Sequence, residues 1–178
     1  MTKMEDNLKY PIGKYEYTGG FSTEERQALI AEIEEAPQKL YEAVAGLSEK
    51  QLDTPYRIGG WSVRQVVHHL PDSHLNSFAR FKLALTEDCP KIKDYNEAAW
   101  ANLTDYEETP LEISLKLLEC LHQRWVIMLH SLSDEEFKKR FYHPENGTVS
   151  LDYNLGLYAW HGKHHIAHIT SLRKRMGW

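Results

Sequence analysis

Near the end of the chain the run YAWHGKHHIAHIT places His161, His164, His165 and His168 within eight residues. Neutral imidazole is a common ligand for divalent metals, and it also titrates close to neutral pH. Such a cluster is therefore either a set of ligands or a solvated, helix-capping patch. On a helix, residues four apart share a face. His161 pairs with His165, and His164 with His168, the two pairs being rotated by about 60° at 3.6 residues per turn. One such pair offers two nitrogens that can each stand roughly 2.0 to 2.1 Å from a single zinc ion. A third ligand has to come from another helix, because one helix cannot wrap around a cation.

A second group supplies candidates: His68, His69 and His74. On a helical wheel His68 and His69 fall on opposite flanks of the apolar stripe, and His74 lies on the stripe. Periodicity leaves the choice among them open. His164, His168, His74 and Asp72 are candidates for supporting the ligands or carrying a proton. His122 and His130 read as packing and hydrogen-bonding residues, and His143 beside Pro144 as structural. Trp61, Trp125, Tyr158 and Trp160 read first as core or interface material.

Four long helices are expected to position these residues. The first starts at Ser22, whose hydroxyl and Glu25 form a capping box; Leu29, Ile33, Leu40 and Val44 follow at helical spacing, with a kink or break expected at Pro37. The second opens in GGWSVRQVVHHL, with Ser62 as cap and Gln65 closing the box. Its stripe is Val63, Val66, Val67, Leu70, Phe78, Phe81 and Leu85, and Pro71 sits inside it at a cost of roughly 3 kcal/mol. Residues 88–108 form a connection with a short helix around NEAAW. The third long helix takes Thr109 as cap, Pro110 as first residue and Glu112 as third. Its buried line is Leu111, Leu115, Leu118, Trp125 and Leu129. HPENG is a turn. The last helix starts at Ser150 or Leu151 and ends in SLRKRMGW, with basic residues at the negative end of its dipole and Gly177 as a stop. Residues 1–20 read as an ordered aromatic arm with a short strand. The pattern is all-α, a four-helix bundle in one domain over 1–178, with antiparallel neighbours wherever connections are short.

Composition narrows the function. At 178 residues the chain can bury a core unaided, and its net charge of -5 speaks against nucleic acid as a partner. Cys89 and Cys120 are too few and too isolated for a disulfide framework. No apolar run spans a bilayer and no signal-peptide core opens the chain, so a cytoplasmic protein without a membrane partner is expected. HExxH, GxSxG, a phosphate-binding glycine loop and a basic nucleic-acid signature are all missing.

The segments GGWSVRQVVHHL and WHGKHHIAHIT resemble the DinB-like family of small metal-binding helical bundles. PIGKYEY, QLDTPYR, HHLPDSH, RFKLALTE, LHQRW and GLYAWH extend the resemblance, to the YfiT branch, over nearly the whole chain. It implies a four-helix bundle with one divalent ion per subunit held by three histidines, zinc by the usual assignment and nickel as the alternative. In the family pattern the first ligand stands eight residues after the motif tryptophan and before an apolar residue; from Trp61 that is His69, followed by Leu70. The other two match His161 and His165. Homodimers are implied as well.

The branch is described as metal-dependent hydrolases; with three neutral histidines and an open position, metal-bound water would ionise near pH 7 and attack an electrophilic carbon or phosphorus of a small-molecule substrate. Related members look instead like transferases or isomerases that use a low-molecular-weight thiol such as bacillithiol. A third alternative is a non-catalytic module in which the ion merely pins two helices; a structural zinc site of that kind has four protein ligands.

Overall fold

The computed structural model describes residues 3–178. Helix α1 (Lys3–Lys9) precedes the first long helix, α2 (Thr23–Val44); a short α3 (Glu49–Leu52) leads to α4 (Val63–Thr86). Then come α5 (Glu97–Trp100), α6 (Asp105–Glu108) and the long α7 (Leu111–Ser131). A short α8 (Asp134–Phe137) and a hairpin of β1 (Arg140–His143) and β2 (Gly147–Ser150) lead into α9 (Leu151–Met176). The fold is all-α apart from that two-stranded hairpin. No helix among the described residues is long and apolar enough to cross a membrane.

Local chemistry sets most boundaries. The Ser22 amide donates to Glu25 Oε2 at 2.7 Å and the Glu25 amide to Ser22 Oγ at 3.2 Å, closing the box at the start of α2. Ser62 and Gln65 do the same for α4. Ser150 Oγ accepts from the Tyr153 amide at 3.1 Å, and Gly177, at φ 71°, ends α9 in the left-handed region that a side chain would disfavour.

Four expectations need correction. Helix α2 runs unbroken through Pro37, as α4 does through Pro71, because burial of flanking residues such as Ala36 and Leu40 outweighs one lost hydrogen bond. Thr109 closes α6, its amide donating to Asp105 O, and Pro110 stands at the cap of α7 with ψ 136°. The described part of the arm holds a helix and then unpaired chain, without a strand. Finally, the segment around HPENG is more than a turn: Arg140 pairs with Ser150 and His143 with Gly147.

The long helices form a square in which α2 and α4 each pack against both α7 and α9. Helices α2 and α4 thus lie on one diagonal and α7 and α9 on the other, and the connections between the long helices are long. Lys163 reaches Glu32 and Arg173 reaches Ala43, so α2 and α9 run parallel. His68 meets Ser114 and His74 meets His122, so α4 and α7 are also parallel. Across the α4–α9 seam, Ser77 meets Asn154 while His69 meets His161, and this pair is antiparallel. At Gly162 an added Cβ would lie 3.4 Å from the Ala36 Cβ and 3.7 Å from His74 Cε1, so the glycine lets α9 approach both neighbours closely.

The arm is tied to the start of α9. Asp152, 3% exposed, accepts from the Phe21 amide at 2.7 Å and from Arg26 Nε at 2.7 Å. Removing one partner of a buried ion pair strands the other charge. Asp152→Ala is therefore expected to cost about 3 kcal/mol in urea unfolding, whereas Asp53→Ala, which breaks the exposed bond to Arg64, costs under about 1 kcal/mol. Equal costs would contradict the assignment of Asp152 as the buried anchor.

Candidate metal centre

Helices α4 and α9 bring three imidazoles together. One ring nitrogen from each of His69, His161 and His165 lies within 4.8 Å of the other two. His69 Nε2 and His161 Nε2 are 3.3 Å apart. Two nitrogens each roughly 2.05 Å from a cation at the tetrahedral angle would stand about 3.3 Å apart. His69 and His165 are buried, and His161 is partly exposed. The donor set, three imidazoles and no carboxylate, suits zinc or another borderline divalent ion.

Electrostatics keep these rings in the ligand form. Burial pushes His69 down to about 3. His161 and His165 are held well below the usual imidazole range, by burial first and then by neighbouring histidines. A neutral ring keeps the lone pair that a cation needs.

The three rings face a cavity of about 370 Å³, whose lining includes Lys9, Arg57, Trp61, Tyr95, His164 and His168. Trp61, expected as core or interface material, packs half-buried against the core and over the cluster, its ring 4.6 Å from that of His69 and 6.2 Å from that of His165. His164 stacks on Trp160 at 4.4 Å, and burial brings it down to about 3. His168 stacks on Tyr56 at 3.9 Å and donates from Nε2 to the Lys9 carbonyl at 3.0 Å. Its Nδ1, like that of His164, is buried without a hydrogen-bond partner among the described residues.

The remaining candidates sort out by position. His68 turns toward α7, its Nδ1 2.7 Å from Ser114 Oγ, and stands outside the cluster. Asp72 accepts from the Tyr106 hydroxyl at 2.7 Å and does not line the cavity. His74 reaches His161 Nδ1 from behind at 3.1 Å. On its far side it meets His122, whose contribution sequence alone left as packing: His74 Nδ1 and His122 Nε2 are 2.8 Å apart, and His122 Nδ1 is 2.5 Å from the Ile33 carbonyl. His130 is exposed, and His143 sits at the end of β1 beside Asp94. Cys89 and Cys120 are free, exposed and outside the cavity.

The model of the DinB superfamily matches residues 32–169. A Bacillus cereus protein named "Putative metal-dependent hydrolase" is 55% identical over 97% of this chain and 99% of its own length. A Bacillus anthracis protein of the same name is 54% identical over the same shares. Among solved structures, YfiT from Bacillus subtilis superposes with a TM-score of 0.94 at 53% identity, over 97% of this chain and 99% of that one. It is described as "a probable metal-dependent hydrolase with an unusual four-helix bundle topology".

Burial of the imidazoles has a consequence for stability. Unfolded, they take up protons below about pH 6.5; folded, His69 and His164 stay neutral to about 3 and His122 and His168 to about 4. Their folded values are depressed, so the stabilisation is full above the unfolded value and is lost as pH falls toward the folded ones. Each contributes a slope of up to about 1.4 kcal/mol per pH unit in that window. The urea midpoint of metal-free protein should fall steeply between about pH 6.5 and about pH 5. A midpoint constant across that range would contradict the burial of neutral rings.

Proposed function

The chain belongs to the DinB superfamily, and we propose that it is a metal-dependent hydrolase whose single divalent ion, zinc or else nickel, is held by His69, His161 and His165. The observation that carries this is the convergence of three neutral imidazole nitrogens within 4.8 Å beside a cavity. Among the described residues the cluster has three members, which leaves a coordination position free, as catalytic zinc sites do and four-ligand structural sites do not. A divalent ion bound there supplies Lewis acidity, lowering the pKa of water to about 7 and polarising a substrate oxygen.

The chain's own residues do the rest. His69 and His165 come from opposite sides of the α4–α9 seam, and the Trp61 ring over both limits the approach of bulk water. His164 and His168 line the cavity; with Nε2–H of His168 committed to the Lys9 carbonyl, its Nδ1 carries the lone pair. His74 is unsuited to carrying a proton, since both its nitrogens are engaged by other histidines. Lys9 and Arg57, offset in part by Glu97, leave the cavity lining with a net positive charge that favours an anionic substrate.

The same lining favours a second reading, transfer of an acidic low-molecular-weight thiol such as bacillithiol to an electrophile. Neither cysteine of the chain lines the cavity, so the thiol would come from solution, and coordination to the ion would deprotonate it. Product mass with and without added thiol separates the two: hydrolysed product without thiol supports hydrolysis, and a thiol adduct alone supports transfer.

Zinc titration of full-length variants against a chromophoric chelator tests the ligand set. Alanine at His69, His161 or His165 should weaken one-to-one binding by more than about a hundredfold, beyond the usual effect of losing an outer partner. His68→Ala should stay within about threefold of the parent chain, since its ring points to Ser114. Tight binding that survives His161→Ala would contradict the assignment.

A further inference from the structure

The row of histidines behind the cluster ends at a proline. In an α-helix the amide of residue 37 would donate to the carbonyl of residue 33. Pro37 has no N–H, so the Ile33 carbonyl in the unbroken α2 lacks its helical donor. Helix α7 supplies one: His122 Nδ1 stands 2.5 Å from that oxygen. A carbonyl can only accept, so Nδ1 of His122 carries the proton.

The consequence propagates ring by ring. His122 and His74 are 1% and 0% exposed, too buried for the extra proton of an imidazolium, so each ring carries one N–H. With its proton on Nδ1, His122 can only accept at Nε2, and the group 2.8 Å away is His74 Nδ1. His74 Nδ1 must donate, which leaves His74 Nε2 as an acceptor. The atom 3.1 Å from it is His161 Nδ1, which must donate in turn. The lone pair of His161 is thereby forced onto Nε2, the atom 3.3 Å from His69 Nε2.

We infer that Pro37, through the freed Ile33 carbonyl, His122 and His74, sets the tautomer and ring orientation of His161 and so tunes its strength as a metal ligand. This inference rests on the ligand assignment proposed above. His122 and His74 are positioning residues in it. Neither His69 nor His165 has comparable support, since the Nδ1 of each is buried without a partner among the described residues; among these residues His161 is the one ligand of the three braced through its far nitrogen.

Two readouts on the full-length chain test this. Long-range ¹H–¹⁵N correlation spectra of the metal-free protein near neutral pH report tautomers directly. His122, His74 and His161 should all carry the proton on Nδ1, and an Nε2–H form at His161 or His122 would overturn the inference whether or not metal binds. The second readout is zinc affinity by chelator competition. His122→Phe removes both the donor and the acceptor, and should weaken zinc by about tenfold or more. His122→Gln keeps one donor and one acceptor at similar spacing, and should recover most of that loss. Equal losses in the two variants, or no loss in His122→Phe, would overturn the inference. If His122→Phe fails to fold, the tautomer pattern of the unaltered chain still decides. Absence of zinc binding by the unaltered chain would instead defeat the ligand assignment.

Discussion

Burial keeps His69, His161 and His165, and His74 and His122 behind them, uncharged, and the candidate site depends on that constraint. Two apolar clusters fill the helices: one contains Ile33, Phe78, Trp125 and Leu155, and the other Leu40, Leu70, Leu118 and Ile169. On α2, α4 and α9 the division between them falls around Pro37, His74 and the His161–His165 turn. A polar layer thus crosses the middle of an otherwise apolar interior. Burying an imidazole N–H without a partner there would cost a few kcal/mol, so a row of rings is stabilised where its donors find acceptors, as in the row through His74 and His122. The carbonyl freed by Pro37 provides the terminal acceptor for one row. A proline that local propensity penalises is, in this setting, part of what makes the polar layer affordable.

The bundle's connectivity puts the right faces together. Because α2 and α4 lie on one diagonal and α7 and α9 on the other, α4 becomes the antiparallel neighbour of α9. His69 then meets a pair of histidines one turn apart on the opposing helix. The long connections that this arrangement requires are used: residues 56–61 and 95–97 supply cavity wall, and the arm contributes Lys9 and Tyr10. Asp152 and Gly156 hold the arm against α9. At Gly156 an added Cβ would fall 2.6 Å from the Tyr15 hydroxyl and 2.8 Å from the Phe21 ring, so the arm packs where no side chain could stand. Scaffold and cavity are therefore not separable pieces.

Much of this was legible in the sequence, for physical reasons that can be named. The helix starts at Ser22 and Ser62 announced themselves because capping boxes are local chemistry, and the 161–165 spacing did so because helical geometry is local too. His69 against His68 was a different problem. Helix α4 is buried on several sides, with His68, His69 and His74 all inside, so no polar face marked the direction of the site; the family resemblance pointed to His69, and the structure turns His68 to Ser114. His122 looked like packing because its role depends on a proline 85 positions away on another helix. The hairpin escaped notice because four-residue strands leave too short an alternation to register. Thr109 and Pro110 were misassigned by one residue because a short preceding helix claimed the threonine.

In the proposed function, three imidazoles from two helices share one ion while solvent retains a coordination position. A crystal structure of the zinc-loaded chain tests it most directly. The predicted result is a single ion roughly 2.0 to 2.1 Å from one nitrogen each of His69, His161 and His165, with His161 binding through Nε2 and an exchangeable solvent ligand completing the sphere. An ion bound elsewhere, or a sphere closed by a fourth protein ligand, would contradict the account.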